Sequence, residues 1–232
     1  MSAFGWLNTH AFTVLGQDVI WSDMVGNTLG LIALALGWRR SLWTWPAQLL
    51  SGAVLVAAYA SAQLSGGVGK QLLVIGVAVW GWRQWRTGKR RTGDGTLAVR
   101  FATGRERGLL AAGTALGTLA VGGLFTAVPS LSWSPWPDAY IFVGTLAAMV
   151  AQARGLVEFW FAWMLVDVVG VPLAFGSGLP FSGLVYLIYF VLVLWGLRDW
   201  WLHTRRQPVP AVAGAAPPRA VPAGAAATEN SA

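Results

Sequence analysis

The sequence predicts an all-α integral membrane protein of seven transmembrane helices, arranged as three, one and three. Three observations carry this: a composition too apolar for water, seven hydrophobic runs of spanning length, and a repeat of the first three runs in the last three. Of 232 residues, 56% are hydrophobic and 11% charged, against about a quarter charged in an ordinary soluble domain. So little charge cannot clothe a water-facing surface. The absence of Cys excludes disulfides, thiolate metal sites, iron–sulfur clusters and cysteine nucleophiles. His10 and His203 are the only imidazoles, and their places near the chain ends argue against haem or a di-histidine metal centre.

A helix crosses the hydrocarbon layer with about 20 mostly apolar residues. Runs that satisfy this extend from Ile20 to Trp38, Trp43 to Gln63, Gly69 to Trp85, Gly108 to Val128, Asp138 to Arg154, Val157 to Phe175 and Phe181 to His203. Residues 1–19 lack the basic start and small-residue cleavage site of a signal peptide and are expected to form an extracellular N-terminal segment. Residues 86–107 are expected to be a basic cytoplasmic loop, and 108–128 a linking helix. Residues 204–232, rich in Pro, Ala and Gly, are expected to be a disordered cytoplasmic tail.

Orientation follows from Lys and Arg, which concentrate in cytoplasmic loops. Under seven alternating crossings, Arg39, Arg40, Arg154 and the basic residues of the loop and the C-terminal end share one side, and Lys70 alone takes the other. The N-terminus is therefore expected outside and the C-terminus in the cytoplasm of a multi-pass cell-membrane protein. The net charge of +7 is then a topology signal. These loops lack the interleaved aromatics that stack nucleic-acid bases, so no nucleic-acid partner is expected.

A shift of 115 residues carries Trp80-Gly81-Trp82-Arg83-Gln84-Trp85 onto Trp195-Gly196-Leu197-Arg198-Asp199-Trp200, repeating the pattern WGxRxW. The same shift carries Asp23 onto Asp138, Arg39 onto Arg154 and Trp45 onto Trp160. Residues 20–85 and 138–203 are thus two triple-helix repeats. Three helices reverse the direction of the chain, and the linking helix restores it, so the repeats are parallel, as in SWEET-type transporters. Such repeats leave a mid-membrane crevice suited to a solute.

Polar groups inside a span are costly unless paired, and ionisable ones are functional hypotheses by default. The candidates are Asn27, Gln48, Gln71, Gln152, Asp167, Tyr186 and Tyr189. Trp160, Trp163 and Asp167 fall at i, i+3 and i+7, a spacing that shares one helix face. Two indoles and a carboxylate could therefore hold a planar aromatic solute. Glu158, four residues from Arg154, is expected to pair with it. No G-x-x-x-x-G-K-[ST] phosphate loop is present, and one central acid does not make a proton relay. Facilitated diffusion is the simplest mechanism left. No convergent nucleophiles or metal ligands suggest an enzyme.

The stretch Gly37-Trp38-Arg39-Arg40-Ser41-Leu42-Trp43-Thr44-Trp45-Pro46, the Gly69-Lys70-Gln71 entry to the third helix, the WGWRQW end and the Trp160/Trp163/Asp167 motif resemble the PnuC family of vitamin transporters. The resemblance covers about residues 20–203. It implies facilitated uptake of a vitamin, retention by a cytoplasmic kinase, no resident cofactor, and assembly as a homotrimer. Trp21-Ser22-Asp23-Met24-Val25-Gly26-Asn27 is most similar to the actinobacterial riboflavin branch. Nicotinamide riboside is the alternative solute, and thiamine a more distant one. The implied site has the solute ring against Trp160 and Trp163, with Asn27, Gln48, Gln71 and Asp167 as hydrogen-bonding partners and Trp45 and Tyr186 beside them.

Overall fold

The computed structural model describes residues 5–61, 65–92, 99–176 and 180–206. Within these, the seven helices are α1 (Trp21–Trp38), α2 (Thr44–Ser61), α3 (Ser65–Thr92), α4 (Gly104–Ala127), α5 (Pro135–Ala153), α6 (Glu158–Gly176) and α7 (Pro180–Arg206). Gly104–Ala127, Glu158–Gly176 and Gly183–Arg205 are long and apolar enough to cross a membrane by length and composition. The other four carry much of the polar lining described below, which lowers their mean hydropathy.

Helices α1, α2, α3, α5, α6 and α7 pack in that order, and α7 returns to α1, which closes a ring. Helix α4 packs against α5 and leaves Leu109, Leu116, Leu119 and Leu124 exposed. Such an apolar outer face suits lipid or another membrane-buried surface.

Hydrogen bonds at the ends of α1 and α5 recur at the 115-residue shift. Helix α1 ends with N–H groups of Arg39, Arg40 and Ser41 donating to the carbonyls of Ala35, Gly37 and Leu36. Helix α5 ends with Arg154, Gly155 and Leu156 donating to Val150, Gln152 and Ala151, each partner shifted by the same 115 residues. Both turns use a left-handed residue, Arg40 with φ 55° and Gly155 with φ 67°. This conformation suits glycine and costs a residue with a Cβ about 1–2 kcal/mol.

Tryptophans then lock the helices together. A Cβ on Gly81 would lie 2.3 Å from the Trp45 ring, and one on Gly196 would lie 2.1 Å from the Trp160 ring. Each indole therefore fills a slot that only glycine leaves open. Trp45 meets Trp85 edge-on at 5.4 Å, and Trp160 meets Trp200 edge-on at 5.9 Å. The indole N–H of Trp85 donates to the Gln152 carbonyl at the end of α5, and that of Trp200 to the Trp38 carbonyl at the end of α1, both at 2.9 Å. Carbonyls in a last helical turn lack intrahelical partners, so each repeat caps the first helix of the other.

Several boundaries differ from expectation. Parts of the basic stretch 86–107 are helical, because α3 runs on to Thr92 and α4 starts at Gly104. Arg and Lys are good helix formers, and Thr103 with Glu106 makes a reciprocal capping box that starts α4. Residues 99–103, ahead of α4, join the α5–α6 turn. Arg100 donates its N–H to Gly155 and accepts from Val157, both at 3.0 Å. The Arg100 guanidinium forms two 2.7 Å bonds with Glu106, which push its pKa upward. Glu158 pairs with Arg107 at 2.8 Å and accepts the Ala102 N–H, in place of the expected Arg154. Arg154 instead lies 4.0 Å from Glu106.

The N-terminal segment has structure that periodicity over so few residues did not reveal. A 3-10 turn (Gly5–Asn8) leads into the antiparallel strands β1 (His10–Val14) and β2 (Gln17–Ile20). Leu15 and Gly16 both have positive φ, as a two-residue hairpin turn of this hand requires. The hairpin is anchored at both sides of α1. Asn8 donates its amide to Ala58 and Ser61 of α2, and Gln17 accepts the Phe181 N–H of α7. Gln63 and the tail from residue 207 onward, Arg219 included, lie outside the described residues.

Candidate solute-binding site

The ring encloses a cavity of about 350 Å³ lined by all six of its helices. Its lining follows helical faces: Asp23, Gly26, Asn27 and Gly30 on α1, and Gln48, Ser51, Leu55 and Tyr59 on α2, recurring every three or four residues. Helix α3 adds Gln71, helix α5 adds Thr145 and Gln152, and the remaining wall is Trp163, Val166, Asp167, Tyr186 and Tyr189 of α6 and α7. A volume of this order is typical of small-molecule sites.

The repeat shift pairs the lining positions and exposes a chemical division. Gln48 corresponds to Trp163, Gln71 to Tyr186, Val74 to Tyr189 and Ser51 to Val166. The first repeat thus presents mainly amides and a hydroxyl where the second presents mainly aromatic rings. Tyr59 on the first side, and Thr145, Gln152 and Asp167 on the second, are exceptions. One wall can hydrogen-bond and the facing wall can stack, which suits a solute with a flat ring and a polar chain.

Two polar atoms on the aromatic side are buried without a hydrogen-bond partner among the described residues, the Trp163 indole N–H and Oδ2 of Asp167. Unpaired buried groups are costly, and a solute in the cavity could satisfy both. Tyr189 is already engaged: its hydroxyl donates to the Asn27 carbonyl at 3.1 Å, crossing from α7 to α1.

Of the expected site residues, Asn27, Gln48, Gln71, Trp163, Asp167 and Tyr186 come together in the cavity lining. Trp160 and Trp45 do not. Both are buried, at 0% and 1% exposure, and fill the glycine slots on α7 and α3. This corrects the expectation that two indoles of α6 present one solute-facing stripe: Trp160 is drawn into helix packing because Gly196 leaves it room.

Comparison with known proteins agrees with this architecture. A family model described as nicotinamide mononucleotide transporter matches residues 20–202. The chain belongs to this family. Within it, the chain is 62% identical over 210 residues to the riboflavin/roseoflavin transporter RibM of Streptomyces davaonensis, covering 90% of this chain and 98% of that one. It is 22% identical to the nicotinamide riboside transporter PnuC of Escherichia coli, over 80% of this chain and 87% of that one. A crystal structure of the vitamin B3 transporter PnuC superposes with a TM-score of 0.63 at 21% identity, covering 81% and 83% of the two chains, and shows a shared fold. These relatives are membrane transporters, not enzymes.

Tyr59 and Ser51 line the cavity without having stood out in the sequence, and Asp23 stood out only through its match to Asp138, not as a lining residue. The signal was available in the helical spacing. Extending the Gln48 stripe by i+3, i+7 and i+11 reaches Ser51, Leu55 and Tyr59, and stepping back four from Asn27 reaches Asp23.

Proposed function

We propose that this chain carries riboflavin and similar flavins across the plasma membrane by facilitated diffusion, with the N-terminus outside and the C-terminus in the cytoplasm. The observation that carries this is the division of the cavity into a stacking wall and a hydrogen-bonding wall. A flavin has the matching division: a flat tricyclic ring and a chain of hydroxyls. In this reading the isoalloxazine ring lies against Trp163 and Tyr186, its edge meets Asp167, and the ribityl hydroxyls meet Asn27, Gln48 and Gln71. The 62% identity to a riboflavin/roseoflavin transporter supports the choice of solute.

The architecture behind the motion is a pair of parallel triplets joined by α4, a three-plus-one-plus-three order. The shared turns, glycine slots and indole caps at the 115-residue shift support it. Rocking of one triplet against the other exposes the cavity to each side in turn. Movement without an energy source equalises concentrations, so accumulation follows from phosphorylation of the vitamin by a cytoplasmic kinase. The outer leucines of α4 are a surface on which copies could meet as a homotrimer.

The test is thermal stabilisation of the purified protein by riboflavin, nicotinamide riboside and thiamine, since a ligand that binds only the folded state raises its melting temperature. Riboflavin is expected to raise it most. A larger rise with nicotinamide riboside would transfer the assignment to that solute, whose pyridinium charge the Asp167 carboxylate could meet. No rise with any of the three would reject vitamin binding. In sealed vesicles a proton gradient is expected to leave the initial rate of uptake unchanged, and acceleration would contradict uncoupled movement.

A further inference from the structure

On the outside of the ring, α6 and α7 leave a groove of about 470 Å³ walled by Phe161, Leu194, Leu197, Trp201 and Leu202, with Arg198 on its rim. Trp201 is held from three directions. Phe101 and Phe161 meet it edge-on at 5.2 and 6.3 Å, and the Arg205 guanidinium lies 5.1 Å from its ring centre. The groove therefore has an aromatic floor held by packing, with the Arg198 guanidinium in its lining and that of Arg205 against the Trp201 ring.

No carboxylate lines the groove to balance those charges. Asp199 follows Arg198 directly, which turns it about 100° around the helix. Glu106 and Glu158 are bound to Arg100 and Arg107. Arg198 makes no ion pair among the described residues. The groove sits at the helix ends where the arginines gather, so its apolar part faces hydrocarbon and its charged part faces head groups.

The repeat supplies an internal comparison. The same shift that equates Arg198 with Arg83 puts Pro46, Trp82 and Arg86 where Phe161, Leu197 and Trp201 stand. The arginine is common to both repeats, while the Phe161–Trp201 pair belongs to the second alone, Pro46 and Arg86 standing at those positions of the first.

We propose that this groove holds one anionic phospholipid, its phosphate between Arg198 and Arg205 and the upper part of its acyl chains against Trp201, Phe161 and Leu194. A phosphodiester accepts from guanidinium donors through charge-assisted bonds, and the acyl chains fill the apolar trough. A zwitterionic lipid offers the same chains without the net charge. The site is separate from the solute cavity, and no residue lines both.

The experiment uses the full chain in detergent, titrated with phosphatidylglycerol, phosphatidylcholine or inorganic phosphate, and read by native mass spectrometry and melting temperature. Phosphatidylglycerol is expected to remain bound and raise the melting temperature, and the other two are expected to do neither. Arg198→Gln with Arg205→Gln should weaken binding at least about tenfold, the least expected for loss of two charge-assisted contacts, while Arg83→Gln should leave it unchanged. Arg198→Lys keeps the charge and should retain most of the binding, which separates loss of the lipid from loss of the fold. Equal retention of phosphatidylcholine, equal stabilisation by inorganic phosphate, or an equal loss in Arg83→Gln would each overturn the proposal.

Discussion

The two repeats are nearly interchangeable at the arginine-rich end and chemically opposed around the cavity. At the end, the same turn, the same indole in a glycine slot and the same indole-to-carbonyl cap occur twice. Around the cavity, equivalent positions carry Gln48 against Trp163 and Gln71 against Tyr186. Packing demands shape, and a repeated backbone meets that demand with the same large and small residues each time. A solute with two unlike ends demands the reverse. In the proposed reading, recurrence supplies the frame and departure from recurrence supplies recognition.

The sharpest way to break this comparison is at the frame. Gly196→Leu and Gly81→Leu each place a side chain into an occupied indole slot, and both are expected to abolish recovery of folded protein by size-exclusion chromatography; even a small excess in a packed core costs about 1–3 kcal/mol. If one glycine tolerates the change and the other does not, the ends are not equivalent. At the cavity the opposite holds, and equivalent positions should respond unequally. Trp163→Ala should weaken riboflavin binding about 10- to 100-fold, the scale of one lost aromatic stack, whereas Gln48→Ala should weaken it a few-fold, about one hydrogen bond. Fluorescence titration of the purified variants reads both.

Asp167→Asn should change riboflavin affinity less than Trp163→Ala does and weaken binding of cationic nicotinamide riboside more than that of the neutral flavin. The smallest effect belongs to the left-handed turn residues. Gly155→Ala should cost about 1 kcal/mol because an added Cβ is strained there. Arg40→Gly should be near neutral, since relief of that strain is offset by the flexibility of glycine and by loss of the Arg40 contact with His203. Melting temperatures order the two.

The helices were legible because hydropathy is a property of the chain alone, and the 115-residue shift pointed to positions where the same turn, glycine slot and indole cap recur. The cavity was legible in its polar members: Asn27, Gln48, Gln71 and Asp167 have no reason to interrupt apolar runs unless they face one another or a solute. The role of Trp160 was not, because the sequence shows an indole beside Asp167 but not the space that Gly196 opens 36 residues later. The partner of Glu158 was hidden for a related reason. Arg154 is its neighbour along the chain, while Arg107 reaches it only after residues 99–103 fold against the α5–α6 turn. The N-terminal hairpin is anchored by single residues, Asn8 and Gln17, which leave no periodic trace.

The division of labour between the walls is tested most directly by combining truncation of the solute with truncation of each wall. Riboflavin and lumiflavin share the ring, and lumiflavin has a methyl group in place of the ribityl chain. If the amide wall holds the chain and the aromatic wall holds the ring, Gln48→Ala with Gln71→Ala should weaken riboflavin and spare lumiflavin, while Trp163→Ala should weaken both alike. Equal losses for the two flavins in the glutamine variant, or unchanged binding of both in the tryptophan variant, would contradict it.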